Sequence, residues 1–115
     1  MTSVDEARKA VGILMKQIRI EKGLEQGDVA EKLECSRPNI TQYETLGVNG
    51  IDVILRFCNA MEVEVTDFFS LLAVQLSRGG TAVSLERLKE TLSRSVKDMC
   101  ARESLRCHVS ISIIR

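Results

Sequence analysis

The 115-residue sequence predicts a mainly all-α fold: five short helices in the first 77 residues, then a C-terminal helix and one short terminal β-strand. Three observations carry this. Apolar residues recur at spacings of three and four along most of the chain, the mark of helices with one buried face. Hydrophobic residues make up 44% but aromatic ones only 3%, so the core is aliphatic, with Phe57, Phe68, Phe69 and Tyr43 as its only bulky rings. Strict alternation of apolar and polar residues is convincing only over 105–113.

The first helix is expected from about Asp5 to Lys22, with Ala7, Val11, Leu14, Met15 and Ile18 on one face. Gly23 supplies the left-handed residue that ends it. Ile13 and Ile20 lie on the opposite face, a stripe available to dock the tail or a partner. The second helix begins near Gln26 and turns Val29, Ala30 and Leu33 inward; Gly27 within it costs about 1 kcal/mol relative to alanine. A tight link, Leu33-Glu34-Cys35-Ser36, leads to a third helix over 36–44. Ser36 is its N-cap, and Pro38, the only proline, sits in its first turn, where a missing N–H costs little. Ile40 and Tyr43 face inward, while Arg37, Asn39, Thr41 and Gln42 face out. The fourth helix, about Ile51 to Met61, buries Val53, Ile54, Phe57, Cys58 and Met61. The fifth starts at Val65 or Thr66 and carries Phe68, Phe69, Leu72 and Leu76.

Paired glycines in Arg78-Gly79-Gly80-Thr81 mark a linker, dividing the chain into a module over 1–77, a connector over 78–83 and a tail over 84–115. In the tail, Ser84 caps a helix in which Leu85, Leu88, Leu92, Val96, Met99 and Glu103 form a heptad-like seam. In the terminal strand Leu105, Cys107, Val109, Ile111 and Ile113 face one way and Arg106, His108, Ser110 and Ser112 the other. A strand needs a partner for its N–H and C=O groups, and two copies paired antiparallel across a two-fold axis supply one. Leu85, Leu88, Leu92, Val96, Leu105, Val109, Ile111 and Ile113 are therefore the expected homodimer contacts. The competing arrangement folds the tail back onto Ile13 and Ile20 of its own chain.

A helix, a short turn and a second helix with a polar outer face form the layout of a DNA-binding helix-turn-helix. Gly12, Arg19, Gly23-Leu24, Gln26, Val29-Ala30, Leu33, Ser36, Ile40-Thr41-Gln42-Tyr43-Glu44 and Asp67-Phe68-Phe69 stand in one register over residues 11–69. In these positions the sequence resembles the Cro/cI-type (XRE-like) helix-turn-helix domain of phage and bacterial repressors. The resemblance implies a five-helix, lambda-repressor-like domain, double-stranded DNA as partner, and helix 36–44 in the major groove. Arg37, Pro38, Thr41 and Gln42 are then the base readers, Arg37 suited to guanine O6/N7 and Gln42 to adenine N6/N7. Gln26, Ser36, Asn39 and Thr45 would contact the DNA backbone, and Arg19 and Glu44 would form a structural ion pair between the first and third helices. Several positions depart from the pattern: Glu25 replaces a Ser/Thr cap, Gly27 stands inside the second helix, Glu34 replaces a glycine, Glu62-Val63 replaces a Gly-Val link, and the loop after Glu44 is a residue short and lacks the usual Arg or Lys.

Net charge is zero but uneven. Residues 1–70 carry 8 Lys+Arg against 12 Asp+Glu, and residues 71–115 carry 8 against 4. An acidic module attracts phosphates poorly. It keeps open an alternative on the same fold, a protein-interaction module, antitoxin-like or regulator-binding, with weak or no DNA binding. The spacing of Cys35, Cys58, Cys100 and Cys107 matches no zinc pattern, so no metal or cofactor is expected; a redox- or metal-sensing group at Cys100, Cys107 and His108 is the lesser reading. One histidine and no nucleophile elbow or phosphate loop argue against an enzyme. No apolar run approaches the roughly 20 residues of a membrane span, and MTSVDEARKA has no signal-like core, so a cytoplasmic location is expected.

Overall fold

Helix-starting chemistry fixes where the first three helices begin in the computed structural model, which describes residues 3–48 and 50–94. The Ser3 hydroxyl accepts from the Glu6 N–H at 3.1 Å, and Asp5 and Glu6 add negative charge to the first turn of α1, Val4–Glu21. Helix α2, Gln26–Lys32, starts after Glu25, whose N–H donates to the Asp28 carboxylate at 2.9 Å. Helix α3, Arg37–Leu46, starts after Ser36, whose hydroxyl accepts from the Asn39 N–H, and runs two residues past its expected end. Helices α4, Ile51–Met61, and α5, Val65–Ser77, begin where the apolar periodicity places them. A sixth helical stretch, α6, covers 85–94 of the described residues, which contain no strand.

Two links demand unusual backbone. Glu34 adopts φ 56° in the turn between α2 and α3, and Glu62 adopts φ 58° between α4 and α5. Both are non-glycine residues in the left-handed region, where a Cβ carries a steric cost. Packing of the flanking helices holds them there. Leu33 and Val63, each next to one of these residues, are buried.

The bundle closes around Leu14, Met15, Ile18, Val29, Ile40, Phe57, Phe68 and Leu71, all at most 1% exposed. Phe57 and Phe68 meet edge to face with ring centroids 6.2 Å apart. The expected inward set is shifted at two places. In α1 Ala10 is buried while Ala7 is only half-buried, and in α5 Leu71 is buried while Phe69 keeps 38% of its surface exposed. The tightest approach is between α1 and α3 at Gly12. A Cβ there would collide with the Tyr43 carbonyl oxygen, so only glycine lets the two backbones come this close.

In its described residues, 84–94, the tail packs back within its own chain, as in the competing arrangement, but into the core and not over Ile20. Val83, Leu88 and Leu92 are buried in the same core as the five-helix module. Gln17 of α1 binds Val83 twice: its Nε2 donates to the Val83 carbonyl at 3.0 Å, and its Oε1 accepts from the Val83 N–H at 3.2 Å. Arg94 reaches Asp67 of α5 at 3.5 Å. The proposed seam is thereby split: Leu88 and Leu92 are buried together with Thr91, whereas Leu85, the first residue of α6, is 57% exposed. Leu88 and Leu92 fill their own chain's core and are not free to contact a second copy. Nor do the described tail residues cover Ile20, which remains 58% exposed. Val96, Leu105, Val109, Ile111 and Ile113, the expected terminal strand, Asn49, Cys100, Cys107 and His108 lie outside the described residues.

Two outcomes follow from this packing. Gly12→Ala should destabilise the fold by about 1–3 kcal/mol in urea denaturation, the usual cost of overpacking a tight contact; an unchanged midpoint would mean that α1 and α3 are less closely apposed. Burial also pushes the Cys58 thiol up from 9.0 to about 12. Folding thus favours the neutral thiol, a contribution fully present below pH 9 and lost as pH rises towards 12. A Cys58→Ala variant should therefore lose less stability than the parent chain between pH 9 and 11, by thermal melts at each pH.

Candidate nucleic-acid interface

Helix α3 offers one polar face to solvent. Arg37, Pro38, Thr41, Gln42 and Thr45 are all exposed and, at about 100° per residue, fall within roughly 140° of arc. Ile40 on the opposite side is fully buried. The helix cannot roll without expelling Ile40, so the composition of its outer face is set by its core anchor.

Its position relative to the rest of the bundle is set by a polar network. Arg19 of α1 grips Glu44 of α3 bidentately, Nε to Oε2 at 2.7 Å and Nη2 to Oε1 at 3.1 Å. The remaining guanidinium nitrogen, Nη1, donates to the Leu24 carbonyl at 2.9 Å, tying down the link between α1 and α2. Gln26, the first residue of α2, donates from Nε2 to Glu44 Oε1 at 3.0 Å, and its Oε1 accepts from the Thr41 hydroxyl at 3.0 Å. One chain of bonds therefore runs from α1 through Glu44 and Gln26 to the outer face of α3. The side chains of Arg19 and Glu44 are only 12% and 5% exposed, so the pair is shielded from solvent and from salt.

These bonds decide what each candidate residue has left to offer. Arg37 and Gln42 make no side-chain hydrogen bond or ion pair among the described residues, so their donors and acceptors are free. Thr41 has its single hydroxyl proton directed at Gln26 Oε1 or, at 3.3 Å, the Arg37 carbonyl, leaving a lone pair and a methyl group to face outward. Thr45 donates its proton to the Thr41 carbonyl at 2.6 Å. A phosphate oxygen only accepts, so Thr45 must rotate before it can bind one. Ser36 accepts from the Asn39 N–H and keeps its own O–H to donate. Gln26 spends one of two amide hydrogens on Glu44, leaving the other, and Asn39 is exposed beside the Ser36 cap.

The Arg19–Glu44 pair was legible in the sequence, but the extension through Gln26 to Thr41 was not. Gln26 and Thr41 were assigned to DNA separately, and no spacing rule links an α2 N-terminus to the middle of α3. The surroundings are acidic: Glu25, Asp28, Glu31 and Glu34 are exposed on and beside α2, against Lys32 and Arg37. Among the described residues no group of histidine, cysteine and carboxylate side chains could hold a metal ion, and no helix is long and apolar enough to cross a membrane.

A family model described as a helix-turn-helix domain, of the XRE-like superfamily, matches residues 10–68, from within α1 to the first turn of α5. No curated protein matches the chain.

The shielded ion pair yields a direct test of how α3 is held. Arg19→Ala and Glu44→Ala should each cost about 3–5 kcal/mol, because either leaves an uncompensated charge largely out of water. Urea denaturation showing a loss below about 1 kcal/mol for both would mean that the core alone positions α3.

Proposed function

The chain belongs to the helix-turn-helix domain family over residues 10–68, and we propose that it is a sequence-specific DNA-binding regulator that places the outer face of α3 in the major groove. The observation that carries this reading is the availability of side chains on that face. Arg37 and Gln42 stand exposed with their polar atoms unspent, on a helix held in place by the buried Ile40 and by the Arg19–Glu44 pair. Their chemistry suits bases: a guanidinium fork matches guanine O6 and N7, and a carboxamide matches adenine N6 and N7. Thr41 contributes a methyl group for a thymine methyl and a lone pair for a cytosine amine. Ser36, Gln26 and Asn39 set the register by donating to phosphates. Pro38 shapes the start of the helix and adds an apolar contact. Occupancy of a promoter by such a module is enough to block transcription, so repression is the mode that requires no further partner.

The acidic surroundings favour a second reading, in which the same fold binds a protein. Glu25, Asp28, Glu31 and Glu34, on α2 and its links, add carboxylates beside the α3 face, and the loop after α3 offers no lysine or arginine. Phosphate attraction supplies most nonspecific affinity, so nonspecific binding should be weak and the ratio of specific to nonspecific binding high.

Selection from a randomised duplex pool at low salt, followed by titration at physiological salt, separates the two readings. Enrichment of a defined sequence supports DNA recognition; absence of any binding at low salt supports the protein-binding module. With the selected sequence in hand, Gln42→Ala should cost about 1–3 kcal/mol and relax preference at one base position, whereas Ser36→Ala should weaken all sequences alike. Unchanged affinity and preference for Gln42→Ala would remove α3 as the reading element.

A further inference from the structure

Helix α4 presents an outer face that nothing among the described residues covers. Ile51 is 63% exposed and Leu55, one turn later, is 43% exposed. Asp52, Arg56 and Asn59 are exposed alongside them. Isolated exposed apolar residues are ordinary. What sets this face apart is its arrangement. Ile51 and Leu55 lie along one edge of the helical face, while Asp52 and Arg56 lie along the other, with the same four-residue spacing.

This pattern is self-complementary. Place a second α4 antiparallel and face to face, related by a two-fold axis that lies in the contact plane and crosses the helices between residues 53 and 54. That operation brings each edge against the same edge of the partner with its order reversed. Ile51 then meets Leu55 of the second copy, and Leu55 meets its Ile51. On the other edge Asp52 meets Arg56, and Arg56 meets Asp52. Within one chain these two charges are unspent: neither makes an ion pair among the described residues, although one turn of helix separates them. A parallel pairing, related by a two-fold along the helices, would instead set the apolar edge of each copy against the charged edge of the other.

We propose that the outer face of α4 is the contact through which two copies of this chain associate, with Ile51 and Leu55 as its apolar edge and the reciprocal Asp52–Arg56 pairs setting its register. The tail offers less for this purpose within the described residues, because Leu88 and Leu92 are consumed by the core. One eleven-residue helix covers less than the ~1,200 Å² typical of stable interfaces, so the association is weak and reversible. The inference does not rest on DNA binding, since it concerns a different helix and a different ligand.

Sedimentation equilibrium of the full-length chain over about 1 µM to 1 mM tests it, with far-ultraviolet circular dichroism confirming that each variant is folded. The parent chain should show reversible monomer–dimer behaviour. Arg56→Asp should weaken dimerisation about tenfold or more, because two opposed pairs become like-charged at once. Asp52→Arg should do the same, though Asp52 also lies in the first turn of α4 and its reversal costs some helix stability. The decisive arm is recovery: the double variant Asp52→Arg/Arg56→Asp, and an equimolar mixture of the two single variants, should both regain dimerisation. Leu55→Asp should abolish it in every background. A chain that stays monomeric throughout, or a dimer indifferent to the single reversals, overturns the proposal. Binding of each folded variant to a single selected DNA half-site reports on α3 separately, so failure of either reading is visible without the other.

Discussion

The Arg19–Glu44 ion pair is the constraint on which the arrangement of the helix-turn-helix depends. Taking a guanidinium and a carboxylate almost entirely out of water is expensive, and it is tolerated only when their hydrogen-bonding capacity is well used. Here it is. Glu44 takes two bonds from Arg19 and one from Gln26, and Arg19 spends its remaining arm on the Leu24 carbonyl. Three helices and the link between two of them converge on one carboxylate. A shift of α3 along or about its axis would strand charge in a poorly solvated place, so the network acts as a register pin where an apolar core alone would tolerate sliding.

That pin bears on the outer surface as well as the core. Gln26 connects Glu44 to Thr41, so the orientation of an exposed side chain on α3 is set by a buried pair one helical turn along. The surrounding surface is short of cations, which removes the sequence-independent attraction that many nucleic-acid binders use. Such a module gains affinity mainly from directional contacts, and directional contacts are only as good as the rigidity of the groups that make them. The acidic surface and the stiff polar network are therefore consistent with one another.

Much of this architecture can be read from the chain, and what cannot has identifiable physical reasons. The starts of α2 through α5 followed from caps and apolar periodicity, and Gly23 ended α1 in the left-handed conformation expected of it, at φ 73°. Glu34 took the positive φ that its position demanded despite having a side chain. The end of α3 was missed by two residues because Thr45 and Leu46 carry no stop signal; Gly47, at φ 100°, is the true terminator, where it packs on the Arg8 backbone. The start of the tail, 84–94, packs differently from the seam expected of it for a more basic reason. A heptad-like run of leucines looks the same whether it meets a second chain or its own core, and only the two-way bond between Gln17 and Val83 distinguishes them. Gln17 sits between Leu14 and Ile18, at the border of the α1 core stripe, and an uncharged amide there was the available clue.

The Gln17–Val83 contact has a consequence for how the protein comes apart. A carboxamide that both donates to and accepts from one backbone residue behaves like a neighbouring strand, so Val83 is held as firmly as a residue within a sheet. With Val83, Leu88 and Leu92 inside the common core, residues 83–92 are structural members of the module and not an appendage to it. A protease that cut the exposed Gly79 would leave two fragments still bound to each other, and the nicked protein would travel as one particle until denatured.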